Sequence, residues 1–407
     1  MINSGDTAFI LAAAGLVLLM TPGLALFYGG MVRSKNVLGT FMQSLIMISV
    51  ISVQWVLIGY TMSFGPDISG IVGDLSWLGL NTVGTAPSTT YATTIPQNVF
   101  MIYQCMFAII TPALITGAFA ERVKFAPFIL FALLWSILVY NPVCHWIWGS
   151  GGWLANKGVL DFAGGLVVHL TSGAAALAAV LVIGPRKGFG RDSFMPHNLP
   201  MTVLGTGLLW FGWFGFNAGS ALAANGVAAT AFVSTHLAGM AGMAMWTAIE
   251  WLHQDKPTTL GAASGAIAGL ATVTPAAGFV SPISAIIIGL AAGLICYTAV
   301  NLKGKFGLDD SLDVVGIHGV GGLTGTICLG LFASKAVNPG GADGLFYGNA
   351  SFFGTQLFGV AVVAVYAFVA SYVLLKVIDS IMGLRLTEEN EVTGLDLSEH
   401  SEAAYNS

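Results

Sequence analysis

The stretch Asp161-Phe-Ala-Gly-Gly-Leu-Val-Val-His169 places a carboxylate and an imidazole eight residues apart at the start of an apolar segment. Eight residues of α-helix advance about 12 Å and end about 80° from the starting direction, so both side chains could share one flank of a helix. A second imidazole, His318, lies in another apolar segment, within Gly316-Ile-His-Gly-Val-Gly-Gly322. Because ionisable groups are costly at membrane depth, they indicate an interior path or a functional site.

The composition is that of an integral membrane protein. The chain has 407 residues, of which 56% are hydrophobic and 8% charged, whereas about 25% are charged in an ordinary soluble domain. Glycine contributes 53 residues, which suits closely packed membrane helices because small residues let their backbones approach. The net charge is -5, and no nucleic-acid surface is visible. We therefore predict an all-α integral membrane protein with no nucleic acid as partner.

Apolar runs of about 20 residues, separated by charged or Pro/Gly-rich breaks, predict eleven transmembrane helices. The predicted helices cover residues 8–32, 38–62, 97–120, 125–147, 161–184, 198–219, 227–252, 257–275, 281–300, 313–333 and 352–380. Residues 1–383 then form a transmembrane domain, and residues 384–407 form a C-terminal tail.

Lysine and arginine residues predict the orientation. With the N-terminus outside, twelve of the fourteen fall on the cytoplasmic side, and only Lys157 and Lys335 lie outside. This bias follows the positive-inside rule for a protein of the cytoplasmic membrane. Eleven crossings place the C-terminus inside, so the tail is expected to be cytoplasmic. The polar segment 64–96 has no lysine or arginine and is expected to be an external loop.

A basic loop at residues 184–191 divides the first ten predicted helices into two sets of five. Because five is odd, helices 6–10 run inverted relative to helices 1–5. Inverted repeats place a binding site near the bilayer midplane, at the interface between the halves. His169 and His318 lie in equivalent helices, the fifth and the tenth, and could meet there.

These polar residues also have structural explanations. Asp161 precedes a helix and could be an N-cap, a cation-attracting group, or both. Buried histidines are commonly hydrogen-bonded core residues, but two in equivalent helices favour a polar contact in a dry passage. A metal site needs a third ligand, and His145 and His236 lie in other predicted segments, so no metal and no cofactor is predicted.

Aromatic and polar side chains recur at helical spacing near the predicted outer ends of the helices. They are Tyr103 and Phe107, His145 and Trp148, and Trp213, Phe216 and Ser220. Each set alone is typical of packing or of an interfacial belt, whereas together they could form a cage that attracts a small cation. A cation–π attraction of about 2 kcal/mol suffices for recruitment but not for carrying a bare ion across lipid. This deficit favours a permeant that sheds its charge.

Several longer motifs resemble those of one known family, the ammonium transporter (Amt/Mep/Rh) family. The motifs are Pro22-Gly-Leu-Ala-Leu-Phe-Tyr-Gly-Gly30, Ala118-Phe-Ala-Glu-Arg122, Leu160-Asp-Phe-Ala-Gly-Gly165, Pro196-His-Asn-Leu-Pro200, Gly212-Trp-Phe-Gly-Phe-Asn-Ala-Gly-Ser220 and residues 313–319. They occur in the family's order from the first helix towards the tail. The chain is similar to bacterial and archaeal Amt proteins.

The resemblance implies a role for each candidate residue. Phe107, Trp148 and Ser220 correspond to an outer ammonium site, and Tyr103 stands where bacterial relatives often have phenylalanine. Asp161 corresponds to the family's acidic residue near this site.

Further inside, Phe107 and Phe216 correspond to stacked rings that gate the pore. His169 and His318 correspond to the twin histidines, and Trp213 shares the helical face of Phe216 and is taken as a pore residue.

The resemblance also implies the activity and the partners. We expect an ammonium transporter, not an enzyme, that takes methylammonium as an analogue and forms a homotrimer in membrane lipid with one pore per subunit. A PII-type signalling protein is a possible partner at the cytoplasmic tail. The alternatives are an ammonium sensor on the same scaffold with little transport, a membrane metalloenzyme, and a passive channel for another small neutral molecule.

Overall fold

The computed structural model describes residues 1–405 and is almost entirely helical. Its eleven apolar helices are α1 (Ser4–Met31), α2 (Ser34–Phe64), α3 (Gln97–Phe119), α4 (Phe125–Asn156, with a turn at residues 149–152), α5 (Gly165–Ile183), α6 (Leu199–Gly219), α7 (Gly226–Gln254), α8 (Thr259–Val273), α9 (Pro282–Phe306), α10 (Val315–Phe332) and α11 (Ala350–Met382). Ten of these, all except α8, are long and apolar enough to cross a membrane within residues 1–405. The prediction of an all-helical, multi-pass membrane fold is confirmed.

The eighth helix is shorter than the predicted range 257–275. Its 15 residues extend only about 22 Å, less than the hydrocarbon thickness of about 30 Å. Nearly all of its residues are buried, and a Cβ atom built on Gly265 would stand 2.7 Å from the carbonyl oxygen of Gly242 in α7. A helix enclosed by other helices in this way does not have to meet lipid along a full span.

The loop after α2 folds into two small antiparallel hairpins. One pairs β1 (Asp67–Ile68) with β2 (Val72–Gly73), and the other pairs β3 (Pro87–Ser88) with β4 (Ala92–Pro96). Between them, directly before a single turn of 3-10 helix at Leu78–Leu80, the ring of Trp77 stacks on Tyr60 with centroids 5.5 Å apart. The end of the molecule that this loop covers is called the loop face.

Two short helices, α12 (Glu388–Thr393) and α13 (Leu395–His400), follow α11 at the opposite end, called the tail face. The carboxylate of Asp396 accepts a 2.9 Å bond from the amide of Gly39, and the amide of Leu395 donates to the side chain of Asn36 over 2.9 Å. The tail therefore packs against α2 of its own chain. The last two residues of the predicted tail, 406 and 407, lie outside the described residues.

Buried charges connect the loops of the tail face. The guanidinium of Arg186 bonds to Asp309 at 2.7 Å and to Glu121 at 3.2 Å, and Arg33 reaches Glu121 at 2.8 Å. Burial opposes ionisation of Glu121, but the bonds from Arg33 and the charge of Arg186 hold the pKa of this carboxyl below its ordinary value. Removing one partner of such a network would leave an uncompensated buried charge, which typically costs about 3–5 kcal/mol.

The helices that carry the two histidines, α5 and α10, meet backbone to backbone. A Cβ atom built on Gly173 would stand 2.1 Å from the Cα atom of Gly319, and one built on Gly322 would stand 2.6 Å from the carbonyl oxygen of Gly165. Small residues permit this approach, as in other membrane helix pairs. The contact brings His169 and His318 to the same level of the molecule.

Both of these helices begin with a π-helical turn, at Gly165–Leu170 in α5 and at Val315–Gly319 in α10. Such turns are frequent at functional sites. Asp161 lies before α5 in irregular chain, and Gly164, with φ at 120°, separates it from the helix. The expectation that Asp161 and His169 share one flank of a continuous helix is therefore wrong.

Candidate functional site

A cavity of about 510 Å³ opens at the loop face. Its walls include Phe107 of α3, Trp148 of α4, Asp161, and Ser220 directly after α6. These residues come from four separate parts of the chain, and all four were predicted to form an outer site. An apolar cavity with a few convergent polar groups is the usual form of a small-molecule site.

The aromatic rings at the floor of this cavity are in mutual contact. The rings of Phe107 and Trp148 are perpendicular, with centroids 5.9 Å apart, and Tyr103 meets Phe107 edge to face at 5.1 Å. The hydroxyl group of Tyr103 points to α6, where it donates to the carbonyl oxygen of Phe216 over 2.9 Å and lies 3.3 Å from the hydroxyl of Ser220. Tyr103 is fully buried and supports the site from behind.

The passage beyond the cavity is closed by two rings. Phe107 and Phe216 have centroids 4.2 Å apart and are tilted by 34°. Behind them lies an enclosed cavity of about 10 Å³, which is about the space of one water-sized molecule. Its wall consists of His169, His318, Trp213, Phe216, Met20, Leu24, Phe27, Ile110, Leu114, Val168, Leu209 and Ile267.

The two histidines are the polar part of this apolar wall. Their Nδ1 atoms are 3.2 Å apart, and their rings are nearly parallel with centroids at 5.2 Å. A neutral imidazole has one donor and one acceptor nitrogen, so one Nδ1 donates to the other. One Nε2 is then an acceptor and the other a donor. The Nε2 atom of His169 is buried and has no hydrogen-bond partner among residues 1–405.

Trp213 lines the inner cavity beside Phe216 and the histidines. Its indole stacks on His169 with centroids 5.6 Å apart. The indole N–H donates to the hydroxyl of Thr274 over 2.9 Å, which fixes the ring plane. The structure thus brings together Phe107, Phe216, Trp213 and both histidines in one continuous line.

The carboxylate of Asp161 binds backbone amide groups at the start of α5. Its two carboxylate oxygens accept bonds of 2.7–3.0 Å from the amides of residues 164–167, at the first turn of α5. Its carbonyl oxygen accepts a 2.8 Å bond from the indole N–H of Trp148. The interpretation of Asp161 as a helix cap agrees with these contacts, and the residue also anchors the tryptophan of the cavity.

The sequence contains an equivalent of Asp161 that our sequence analysis did not identify. Asp310 precedes His318 by eight residues, as Asp161 precedes His169. Its carboxylate accepts bonds of 3.1 and 2.8 Å from the amides of Val314 and Val315, at the first turn of α10. The repeated Asp-x7-His spacing is the signal that could have revealed it.

Burial raises the pKa of Asp310 to about 6, with Asp313 acting in the same direction and Lys303 opposing it. Since the native state then binds this proton more tightly than the unfolded chain, native stability falls as the pH rises from about 4 to about 6. The difference corresponds to about 3 kcal/mol. In detergent, the melting temperature of the wild-type protein is expected to fall relative to Asp310→Asn over this range. Parallel melting curves would contradict the assignment.

Among residues 1–405, no group of three or more histidine, cysteine, aspartate or glutamate side chains is close enough to hold a metal ion. His145 is bonded to Asp67 and to a backbone carbonyl. The ring of His236 on α7 lies beside that of Trp210 on α6, with centroids 5.6 Å apart and the planes tilted by 43°. Both candidates for a third metal ligand are thus engaged in other contacts.

The fold and the site define a multi-pass membrane protein in which an aromatic cavity leads to a buried pair of histidines. The sequence model of the Ammonium Transporter Family matches residues 8–405. The chain belongs to this family, as its motifs predicted.

Relatives and solved structures agree with this assignment. The chain is 54% identical over 402 residues to the ammonium transporter of Bacillus subtilis (strain 168), covering 98% of each sequence. It superimposes on the crystal structure of Saccharomyces cerevisiae Mep2 with a TM-score of 0.89 and 37% identity, covering 95% of this chain and 91% of that one. A solved sensor Amt protein matches with a TM-score of 0.89 and 29% identity, covering 97% and 98%. The family comprises transporters and channels, not enzymes.

Proposed function

We propose that this protein recruits ammonium at the loop face, removes its proton, and conducts ammonia past His169 and His318. The observation that carries the proposal is the position of the histidine pair, which borders a cavity of about 10 Å³ directly behind the Phe107 and Phe216 rings. A neutral molecule of the size of water fits there, and the two Nε2 atoms supply one acceptor and one donor.

The charge is lost because the inner cavity is apolar. Ring faces and the Ser220 hydroxyl offer a cation a favourable contact in the outer cavity, worth about 2 kcal/mol when desolvated. Beyond Phe216, an ion would exchange its hydration for aliphatic and aromatic walls, at a cost of many kcal/mol. Ammonia needs only hydrogen bonds, which the imidazoles can provide. Whether the proton follows by a separate route determines the electrogenicity.

The topology that fits this activity has eleven crossings, with the N-terminus outside and the C-terminus inside. The loop face is then external, and the distribution of lysine and arginine supports this orientation. The two sets of five helices form an inverted repeat in this proposal. The two capping aspartates support the inverted repeat. Asp161 at the loop face and Asp310 at the opposite end each cap a helix that carries one of the two histidines.

We place the protein in the cytoplasmic membrane as a homotrimer with one pore in each subunit. Side chains such as Phe232, Val233 and His236 of α7 are exposed on the single chain. An imidazole at this depth is costly in lipid, which favours contact with a neighbouring subunit. The remaining apolar surface contacts membrane lipid. The tail, with α12 and α13 at the cytoplasmic face, is the proposed contact for a PII-type signalling protein.

Ammonium-evoked current on a solid-supported membrane tests the transport mechanism. We expect purified protein in liposomes to give a current on an ammonium pulse at several pH values. The half-saturating concentration is expected to rise about tenfold in Trp148→Ala, since removal of one cation–π face costs about 1–2 kcal/mol. No current together with genuine ammonia uptake would favour a gas channel, and the absence of both would exclude transport.

An ammonium sensor remains the second candidate, because a solved structure described as a sensor Amt protein shares this fold. Methylammonium uptake by cells that lack their own ammonium transporters separates the two functions. Rapid uptake supports transport, and saturable binding without uptake supports a sensor.

A further inference from the structure

Three neighbouring cavities on the outer surface of α11 form one continuous groove. The first, of about 350 Å³, lies at the loop-face end, between Lys157 and the first turns of the helix. It meets a second cavity, of about 630 Å³, at Phe358. The second meets a third, of about 360 Å³, at Val365 and Val369. The proposed conduction path uses none of these residues.

The α11 side chains that line the three cavities follow one stripe of the helix, here called the α11 groove. Their spacing of three or four residues places them on one helical face. They are Ser351, Thr355, Phe358, Val362, Val365 and Val369. The stripe thus begins with two hydroxyl groups at the loop face and continues with apolar side chains.

The apolar part of the groove has the length of one acyl chain. Val369 follows Phe358 by eleven residues, which corresponds to about 17 Å of helix. Half of a hydrocarbon core of about 30 Å is about 15 Å, the depth of one leaflet. At its inner end the groove reaches Gly173 of α5 and Gly319 of α10, whose backbones meet. A chain that enters at the loop face therefore ends at the level of the two histidines.

The inner end of the groove offers no polar side chain to a solvent molecule. The twelve residues that line it are all glycine, alanine, valine, leucine or phenylalanine. A water molecule in such a place needs about two to four polar partners. The groove is therefore a site for a hydrocarbon chain, from a lipid or from a neighbouring protein.

The turn that carries Lys157 is held on α11 at the entrance of the groove. The side-chain amide of Gln356, which is fully buried, accepts a 2.9 Å bond from the amide of Leu160 and donates a 2.8 Å bond to its carbonyl oxygen. A Cβ atom built on Gly359 would stand 2.8 Å from the side chain of Val159. These contacts fix the backbone that follows Lys157 and place its side chain over the groove.

The ammonium group of Lys157 is available to an anion. It lies 5.7 Å from the centre of the Phe358 ring, within the range of a cation–π contact. Among residues 1–405 it forms no ion pair with an aspartate or a glutamate. Ser351 lines the same cavity with its hydroxyl group. A phosphate group carries the opposite charge and accepts hydrogen bonds from ammonium and hydroxyl groups alike.

We propose that the α11 groove binds one anionic phospholipid of the leaflet at the loop face. Its phosphate group contacts Lys157 and Ser351, and one acyl chain follows the apolar stripe to Gly173 and Gly319. The lysine selects a headgroup with net negative charge, because a choline or ethanolamine group would bring a second cation beside it. The acyl chain packs against the contact between α5 and α10 from the side away from the pore, so the bound lipid stabilises the folded protein.

Thermal melting of the purified full-length protein in detergent tests the headgroup. We expect dioleoyl phosphatidylglycerol and dioleoyl phosphatidylcholine both to raise the melting temperature, with a half-saturating concentration about fivefold lower for phosphatidylglycerol. Lys157→Gln should weaken phosphatidylglycerol binding about fivefold and leave phosphatidylcholine binding unchanged. Lys335→Gln is the matched control, because Lys335 is the second lysine predicted outside and does not line the groove.

Lys335→Gln is expected to keep the wild-type affinity for both lipids. Equal affinities of the two lipids for the wild type would overturn the proposed selection of an anionic headgroup. The same loss of phosphatidylglycerol binding in Lys157→Gln and Lys335→Gln would also overturn it, since the effect would then come from the charge of the whole face.

Val365→Trp tests the acyl chain in the same melting assay. Its indole fills the place where the second and third cavities meet, and we expect the half-saturating concentration of both lipids to rise about tenfold. Val373→Trp is the matched control. Val373 is 55% exposed on α11, comparable to the 64% of Val365, but it lines none of the three cavities. Equal lipid affinities in the two variants would overturn the placement of the chain in the groove.

A photo-cross-linker distinguishes a lipid from a neighbouring subunit and does not depend on the tryptophan variants. With p-benzoylphenylalanine in place of Val365, illumination in phosphatidylglycerol liposomes is expected to attach lipid to the chain, which the mass of the product shows. Cross-links between two copies of the chain instead of to lipid would overturn the proposal. These measurements use no ammonium, so the lipid site can fail while the proposed function stands.

Discussion

The double variant His169→Ala, His318→Ala is expected to lose its preference for ammonium over potassium. The imidazoles are the polar part of the cavity wall, and their removal opens space for several water molecules between Trp213 and α10. A hydrated passage no longer requires the permeant to shed its charge. We expect the ratio of ammonium to potassium current in liposomes to fall at least about tenfold, which corresponds to about 1.4 kcal/mol of lost discrimination.

His236→Ala is the matched control for this experiment, because it removes an imidazole on α7, beside Trp210, that does not line the inner cavity. It should keep the wild-type ratio. If the double variant also keeps that ratio, the histidine pair does not determine selectivity, and the conduction step proposed for it is wrong.

Gly173→Val is expected to damage both stability and conduction. Its Cβ atom would stand 2.1 Å from the Cα atom of Gly319, so α5 and α10 have to separate. Overpacking of this kind typically costs about 1–3 kcal/mol, and more where backbone has to move. The separation also breaks the 3.2 Å contact between the Nδ1 atoms of His169 and His318. Melting temperature and ammonium current should both fall.

Gly207→Val controls for the substitution itself. Gly207 is in a membrane helix, α6, and no atom lies within 4 Å of a Cβ atom built on it. Valine there should change the melting temperature and the current little. Equal losses in the two variants would show that the effect comes from valine in a membrane helix and not from the contact between α5 and α10.

The helices could be predicted because the lipid environment imposes their length and composition. The runs of apolar residues predicted the ten helices that are long enough to cross a membrane within residues 1–405. The eighth predicted run contains α8, which is enclosed by protein and shorter than a full span. The pattern of apolar residues does not show where a helix begins when its first residue is a glycine, as in α5. The predicted range 161–184 therefore began four residues too early, and Asp161 caps α5 from outside the helix.

The residues of the site could be named from motifs, but their contacts could not. Sequence spacing placed Tyr103 beside Phe107, yet it did not show that the Tyr103 hydroxyl turns to α6. Asp310 was missed because it lies before the predicted helix 313–333 and outside the motif at residues 313–319. The pairing of His145 with Asp67 joins residues 78 positions apart, and no local pattern indicates such a contact.

The contact between Phe107 and Phe216 has a kinetic consequence. The two phenyl groups, with their centroids 4.2 Å apart, leave no room for a molecule between them. In the proposed conduction, each passage therefore has to wait for a ring to swing aside. Rotamer changes of single side chains need no rearrangement of packed helices, and they are fast compared with domain motions. Molecules would then cross during brief, independent openings of the ring pair. Its temperature dependence would report the barrier to ring rotation.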